Sequence, residues 1–277
     1  MPADAADPNT PVGLDHTRAS IARMYDYALG GSDWYEVDRI ELERLKGVMP
    51  EIVDLAVENR RFLIRLTRFL SEQAGITQFL DLGSGLPTAE NVHQVVQRVD
   101  PQSKVVYVDH DPVVTAHGRA LLEENEQTRF IEGDLFDPRG ILDHDVVRGH
   151  LDWTRPIGLL FIATLHHHQG ERGRAAEVTK EFINALPPGS YVAISHIFDP
   201  GEGSDSEAMR AFEAAVARGS LGGATARTRE EIVELFHGLE LVEPGVVELV
   251  NWWPDGPRLR PMNIAQRLIV GALARKP

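Results

Sequence analysis

The chain of 277 residues contains no cysteine. That absence excludes disulfide bonds, thiolate metal sites and cysteine nucleophiles. No run of about 18 consecutive apolar residues occurs either, so no transmembrane helix is expected. Basic residues number 28 against 42 acidic ones, and the net charge of -14 disfavours nucleic acid as a partner. These absences predict a cytoplasmic protein that binds neither membrane nor nucleic acid.

The residues that are present have an ordinary globular composition, with 43% hydrophobic and 25% charged side chains. Residues 1–16 are rich in Pro, Ala and Asp, which predicts a disordered leader. Apolar residues then recur at helical spacing through residues 17–75. This spacing predicts helices over 20–29, 35–48 and 52–74.

From residue 76 onward the pattern alternates between strands and helices. The predicted strands are 77–82, 104–109, 128–132, 157–163, 190–197 and 264–274. The predicted helices are 88–99, 113–125, 140–148, 172–186, 205–218 and 228–237. Such alternation is typical of a mostly parallel, doubly wound α/β sheet. We therefore expect one α/β domain over 76–277, preceded by a helical extension over 17–75.

A glycine turn follows the first predicted strand. The apolar run contains Asp81, and Gly83, Ser84 and Gly85 come directly after it. A strand, a tight glycine turn and a helix start near Thr88 are typical of a site where the backbone approaches a nucleoside cofactor. A purely structural turn is the alternative for this motif taken alone.

Polar residues also follow the next three strands. In parallel sheets, ligands bind outside the carboxyl ends of the strands. Asp109 is therefore placed to accept hydrogen bonds from ribose hydroxyls, and Asp134 could take an adenine amino group, although it could equally be a turn residue. Asp111, before Pro112, is better explained as a helix cap. His166 and His167 follow the fourth strand.

The glycine turn also distinguishes between cofactors. A dinucleotide site has a third small residue where this chain has Thr88. Asp81 would be unfavourable beside a pyrophosphate, whereas it suits a ligand with a cationic amino group, such as S-adenosylmethionine.

These motifs resemble those of class I S-adenosylmethionine-dependent methyltransferases. More narrowly, the chain resembles a bacterial S-adenosyl methyltransferase family long catalogued as a domain of unknown function. The resemblance covers about residues 17–277, and its motifs are 22–31, 59–63, 79–88 and 107–112. It implies a Rossmann-like sheet of seven strands, in which the last, over 264–273, is antiparallel and the segment 239–253 supplies the strand before it.

The resemblance also implies a set of cofactor-binding residues. The glycine turn would lie under the methionine part, Asp81 would face its amino group and Asp109 would hold the ribose. His110 would lie beside the adenine, and Asp134 with Leu135 would read its edge. The full expected set is Tyr25, Gly30, Gly31, Asp81, Gly83, Ser84, Gly85, Asp109, His110, Gly133, Asp134, Leu135 and Ala163.

The N-terminal helical segment is a candidate lid over the cofactor. Tyr25, Gly30, Gly31 and Asp33 could fold over the cofactor as a lid, because a Gly-Gly break beside aromatic and acidic residues suits a closing loop. The alternative is that Tyr25 and Tyr27 are core residues.

The catalytic residues are less clearly marked. His166 and His167 are candidate general bases, because histidine titrates near neutral pH, and a structural turn is the alternative. Consecutive histidines point apart, so we expect no metal site. His196 and the pair Trp252–Trp253 are further candidates for the acceptor site.

The sequence favours a methyltransferase with a small-molecule acceptor. A non-catalytic protein that binds S-adenosylmethionine or S-adenosylhomocysteine is the main alternative, and a nucleotide-dependent oxidoreductase is a third. The sequence leaves a homodimer open.

Overall fold

The computed structural model describes residues 17–87, 90–121 and 125–277. The predicted leader over 1–16 lies outside these residues, as do short parts of two predicted helices at 88–89 and 122–124.

Three helices precede the sheet, as predicted. They are α1 Ile21–Ala28, α2 Glu36–Lys46 and α3 Ile52–Glu72. The Ser20 side chain caps α1 by accepting a hydrogen bond from the backbone N–H of Arg23. A buried ion pair between Arg23 and Asp38, with N and O 2.7 Å apart, joins the first two helices.

Five parallel strands form the body of the sheet, in the spatial order β3-β2-β1-β4-β5. Their bounds are β1 Gln78–Leu82, β2 Lys104–Asp109, β3 Thr128–Glu132, β4 Gly158–Ile162 and β5 Tyr191–Ile197. The order reverses between β1 and β4, which is where a doubly wound sheet binds its ligands.

Three further strands, joined through antiparallel pairs, extend the sheet beyond β5, namely β6 Glu240–Leu241, β7 Val247–Glu248 and β8 Ile269–Arg275. β8 pairs with β5, while β6 and β7 both pair with the other side of β8. The single strand expected within 239–253 is therefore two short strands. The last strand begins later than predicted, because Asn263 caps a helical turn over Ile264–Arg267.

Helices cover both faces of the sheet. α4 Val92–Gln97 and α5 Pro112–Leu121 pack with α3 on one face. The other face carries α6 Pro138–Leu142, α7 Asp145–His150, α8 Arg174–Ala185 and α10 Arg229–Glu234. The helix predicted over 140–148 is thus two short helices. The helical extension expected over 17–75 and the sheet share a hydrophobic core, because α3 packs directly on the strands.

A third hydrophobic cluster lies beside the sheet. It joins α1, α2 and the start of α3 to α9 Gly203–Arg218 and to the helical turn α11 Ile264–Arg267. This cluster holds the N-terminal helices next to the carboxyl ends of the parallel strands.

Candidate functional site

A cavity of about 850 Å³ lies at the carboxyl ends of the parallel strands. Parallel strands end at the same edge, so residues far apart in sequence meet there. Most of the predicted site residues line it, namely Tyr25, Asp81, Gly83, Ser84, Gly85, Asp109, His110, Asp134, Leu135, Ala163, His166 and His167.

The glycine turn forms one wall of the cavity. The backbone N–H groups of Gly83 and Ser84 donate hydrogen bonds to the carbonyl of Val108, at 2.8 and 3.1 Å. Gly83 and Gly85 have φ angles of +74° and +68°, which glycine adopts without strain. A Cβ on Gly83 would lie 2.5 Å from the methyl group of Thr164, whereas one on Gly85 would meet nothing within 4 Å. The turn therefore packs tightly against the residue Thr164 after β4, whereas Gly85 faces open space.

Asp109 is held at the end of β2 by two backbone donors. Its carboxylate accepts hydrogen bonds from the N–H groups of Gly85 at 2.8 Å and Asp111 at 2.9 Å. Burial raises the pKa of this carboxyl group. A carboxylate has about four lone-pair sites, so both oxygens can still accept hydrogen bonds from a ligand.

Asp111 caps α5, as the sequence predicts. One carboxylate oxygen accepts from the N–H of Val113 at 2.8 Å, and the other accepts from the Ser20 hydroxyl at 2.5 Å. Because Ser20 begins α1, this contact fixes the N-terminal helices beside Asp109.

Asp81 is a second buried acid in the cavity wall. Its side chain is 4% exposed, and no residue in the described parts of the chain donates a hydrogen bond to its carboxylate. Burial raises its pKa to about 7, against the opposing charge of Arg60 and with the charge of Asp109 adding to the rise. A cationic ligand group would favour the ionised form of Asp81.

Asp134 lies in a turn whose residues line the cavity. Its carboxylate accepts a hydrogen bond from the N–H of Phe136 at 2.8 Å, as expected of a turn residue. Asp134 and Leu135 also line the cavity. Phe136 also lines it and packs on the His168 ring, with centroids 4.4 Å apart. Sequence reasoning missed Phe136, since one aromatic residue in a loop carries no distinguishing pattern.

Three predicted cofactor residues do not line the cavity, namely Gly30, Gly31 and Gly133. Gly31 folds back under α1, where its N–H donates to the carbonyl of Asp26 at 2.9 Å and its Cα lies against the Asp26 carboxylate. Gly133 packs against Val108 and Ile141. Both positions serve close packing of the chain on itself.

A chain of hydrogen bonds links α1 to the end of β4. The Tyr25 hydroxyl donates to the carbonyl of Ala56 and accepts from the Asn59 amide, both at 3.0 Å. The Asn59 side-chain oxygen accepts from the Ser195 hydroxyl at 2.6 Å, and the N–H of Ala163 points to that hydroxyl oxygen at 2.8 Å. Ala163 has a φ of +57°, an unfavourable conformation that this network holds in place.

Sequence reasoning gave no role to Asn59 or Ser195. Both are buried, with exposures of 2% and 0%. Asn59 begins the motif 59–63 of the family resemblance and lies among the apolar residues of α3, and an amide within an apolar helix face is the signal that could have marked it.

Substitution of Tyr25 tests its predicted position over the cofactor. We expect Tyr25→Phe to lower the free energy of unfolding by about 1–2 kcal/mol, because the Asn59 amide loses its acceptor. Tyr25→Ala should in addition weaken S-adenosylhomocysteine binding, since it opens the cavity wall. Calorimetric titration and urea denaturation measure both effects. Tyr27→Phe, outside the cavity, is the matched control, and unchanged affinity in Tyr25→Ala would contradict the lid hypothesis.

The histidines form a short 3₁₀ turn over Leu165–His167. His166 is 4% exposed, and its ring lies 4.3 Å from that of His167 and 5.1 Å from that of His196, between centroids. Burial lowers the pKa of His166 well below its usual value and that of His167 to about 4. Both rings are therefore neutral at physiological pH.

Two candidate acceptor residues lie elsewhere. His196 is fully buried, with its Nδ1 2.8 Å from the carbonyl of Ile197, and it does not line the cavity. Trp252 is also fully buried and packs edge-on against Phe62 and Phe69 in the core. Trp252 therefore belongs to the hydrophobic core, and His196 packs against the ring of His166 behind the cavity wall.

The described residues contain neither a metal-binding cluster nor a membrane-spanning helix. No three His, Asp or Glu side chains there come together as metal ligands. None of the helices described has both the length and the apolar character to cross a bilayer.

Comparison with known proteins identifies the family. The model of a family described as S-adenosyl methyltransferase matches residues 7–277. The chain belongs to the S-adenosyl methyltransferase family. The family's methyl donor is S-adenosylmethionine, which confirms the cofactor predicted from Asp81 and the glycine turn. No curated protein matches the chain.

Solved structures of similar proteins agree with this membership of the S-adenosyl methyltransferase family. A candidate methyltransferase from Thermobifida fusca YX is 40% identical, with a TM-score of 0.90 over 98% of this chain and 99% of that one. A DUF574 family protein from Streptomyces avermitilis MA-4680 is 36% identical, with a TM-score of 0.86 over 94% of this chain and 98% of that one. The Rossmann-like methyltransferase fold is thereby confirmed.

Proposed function

We propose that this protein transfers the methyl group of S-adenosylmethionine to a small-molecule acceptor. The observation that carries the proposal is one continuous cavity, in which the glycine turn and two buried acids are joined to a pair of neutral histidines. The bound cofactor supplies a methyl group on a sulfonium, which is reactive enough to need positioning and little further activation.

The side chains of the cavity fit that cofactor. Gly85 leaves open space where a ligand can lie against the backbone. Asp109 accepts the ribose hydroxyls, and Asp81 pairs with the amino group of the methionine part. Arg60, which lines the cavity and acts electrostatically on Asp81, faces the carboxylate of that part. Each charged end of the ligand thus meets a group of opposite charge.

The histidine turn lies at the reacting end of the site. The methyl group of Thr164 packs on Gly83, so His166 and His167 begin directly beside the glycine turn. His167 lines the cavity and is more exposed than His166. We assign His167 the role of accepting the proton of the acceptor, and His166 the role of holding its ring in place.

The continuous cavity favours an enzyme over a protein that only binds the cofactor, because a regulatory protein needs no space beyond the cofactor. Charge supports a small acceptor, since a net charge of -14 disfavours nucleic acid.

The proposal is tested in two steps. Calorimetric titration with S-adenosylmethionine, S-adenosylhomocysteine and NADH should show binding of the first two alone. The protein is then incubated with methyl-labelled S-adenosylmethionine and a bacterial extract divided by molecular mass. We expect enzyme-dependent label in the low-mass fraction. Label confined to protein or nucleic acid would refute the small-molecule assignment, and binding without any transfer would support the regulatory alternative.

A further inference from the structure

Beyond the histidines, the cavity continues into a chamber between the N-terminal helices and α9. We call this part the apolar chamber. Its walls are Met24 of α1, Leu42 and Leu45 of α2, Ile52 of α3, and Phe212 and Val216 of α9. These residues belong to the third hydrophobic cluster, which no step of cofactor binding uses.

The segment 219–225 covers the chamber beside the histidine turn. Leu221 and Ala224 line the cavity. The N–H of Thr225 donates to the carbonyl of His166 at 2.8 Å, and the Gln169 amide donates to the carbonyl of Leu221 at 3.2 Å. The cover is thus attached to the same turn that carries the candidate base, so the chamber exists before any acceptor enters.

Charge is distributed unevenly along the cavity. Its acids are Asp81, Asp109, Asp111 and Asp134, which lie around the glycine turn and the ends of β2 and β3. Its arginines are Arg18, Arg23 and Arg60. Arg23 is paired with Asp38, Arg60 acts on Asp81, and Arg18 is exposed just before the first helix. The polar groups that line the far end are neutral, namely His166, His167, Gln169 and Ser220. A charged acceptor would lose its hydration there without gaining a partner.

The cavity is as large as the larger single small-molecule sites. Single small-molecule sites occupy about 300–1,000 Å³, and this cavity holds about 850 Å³. The cofactor groups are spread over the ends of β1, β2 and β3, which leaves the apolar chamber for a second molecule.

We propose that the apolar chamber binds the methyl acceptor, and that this acceptor is an uncharged, mainly apolar small molecule whose hydroxyl or amine lies at His167. This rests on the proposed function. The acceptor oxygen or nitrogen forms a bond to the methyl carbon, and the methyl–sulfur bond breaks with its electron pair left on sulfur. A ring nitrogen of His167 takes the proton released by the acceptor and passes it to water.

Probe binding tests the chamber without knowledge of the natural acceptor. The probes are 2-naphthol and the anion 2-naphthoate, titrated by fluorescence into the protein alone and into the protein with an excess of S-adenosylhomocysteine. We expect 2-naphthol to bind at least about tenfold more tightly than 2-naphthoate, because the chamber offers no partner for a charge. Equal binding of the two, or preference for the anion, would overturn the proposal.

Two variants locate the probe. Val216→Trp should fill the chamber and weaken 2-naphthol binding at least about tenfold, while S-adenosylhomocysteine affinity stays within about twofold because its contacts are elsewhere. Ala224→Phe, on the covering segment, should act in the same direction and serves if Val216→Trp does not fold. Val233→Trp, at a position 41% exposed on α10, is the matched control.

The outcomes separate this proposal from the proposed function. Wild-type protein that binds S-adenosylhomocysteine but not 2-naphthol, or variants that bind 2-naphthol normally, would refute the apolar chamber alone. Wild-type protein that binds 2-naphthol in a Val216-dependent manner but not S-adenosylhomocysteine would refute the proposed function and leave the chamber as an apolar binding site.

Discussion

Asp81→Asn should stabilise the ligand-free protein and weaken its binding of S-adenosylhomocysteine. The pKa of Asp81 rises from an ordinary 3.8 to about 7 on folding, because burial disfavours the carboxylate. Below pH 3.8 both folded and unfolded states hold the proton. Between pH 3.8 and 7 the folded state keeps a proton that the unfolded chain loses, so the wild type loses stability as pH rises.

The asparagine variant has no charge to bury. We therefore expect its advantage in free energy of unfolding to grow with pH and to reach about 2–4 kcal/mol at pH 8. Urea denaturation at pH 5 and pH 8 measures this difference. Glu207→Gln, an exposed acid on α9, is the matched control. An equal effect of Asp81→Asn at both pH values would contradict the raised pKa.

The same ionisation should control affinity. In the proposed function a ligand ammonium pairs with ionised Asp81. Wild-type affinity for S-adenosylhomocysteine should therefore increase from pH 5.5 to 7.5, by up to about tenfold per pH unit below the pKa. Asp81→Asn should remove this dependence. 5′-Methylthioadenosine, which lacks the amino acid part, should bind the wild type and the variant alike. A loss for both ligands would mean that Asp81 supports the turn and does not pair with the ammonium.

Asp109→Ala should weaken the binding of both S-adenosylhomocysteine and 5′-methylthioadenosine. Its carboxylate holds the N–H of Gly85 and is the proposed acceptor for the ribose hydroxyls. Loss of charge-assisted hydrogen bonds of this kind costs roughly 1–3 kcal/mol, or about 5- to 150-fold in affinity. Calorimetric titration with S-adenosylhomocysteine and 5′-methylthioadenosine measures it.

The two acids therefore give different ligand profiles. Asp109→Asn keeps one oxygen acceptor and should lie between the wild type and Asp109→Ala. Thermal unfolding monitored by circular dichroism establishes that each variant is folded. Unchanged affinity of folded Asp109→Ala for 5′-methylthioadenosine would remove Asp109 from the ribose assignment.

The meeting of the proposed cofactor residues at one edge of the sheet could be predicted from sequence, because these residues lie at strand ends. Asp81, Gly85 and Asp109 occur at positions that a parallel sheet must bring to one edge. The capping role of Asp111 could also be predicted from sequence, because the first N–H groups of a helix need a hydrogen-bond acceptor within a few residues. Gly30 and Gly31 do not line the cavity, because a glycine pair marks a turn without indicating what the turn packs against.

The sequence by itself determined the α/β sheet and the order of its main elements, because periodicity and turn glycines act over a few residues. The methyl donor followed from the resemblance of its motifs to a known family. Only the tertiary structure decided what depends on distant packing. It split the strand over 239–253 and shifted the start of β8. It also brought Asn59 to Ser195, 136 residues away, and enclosed the apolar chamber between α2 and α9. Such contacts join side chains with no local pattern in common, so their partners are fixed only when the chain folds.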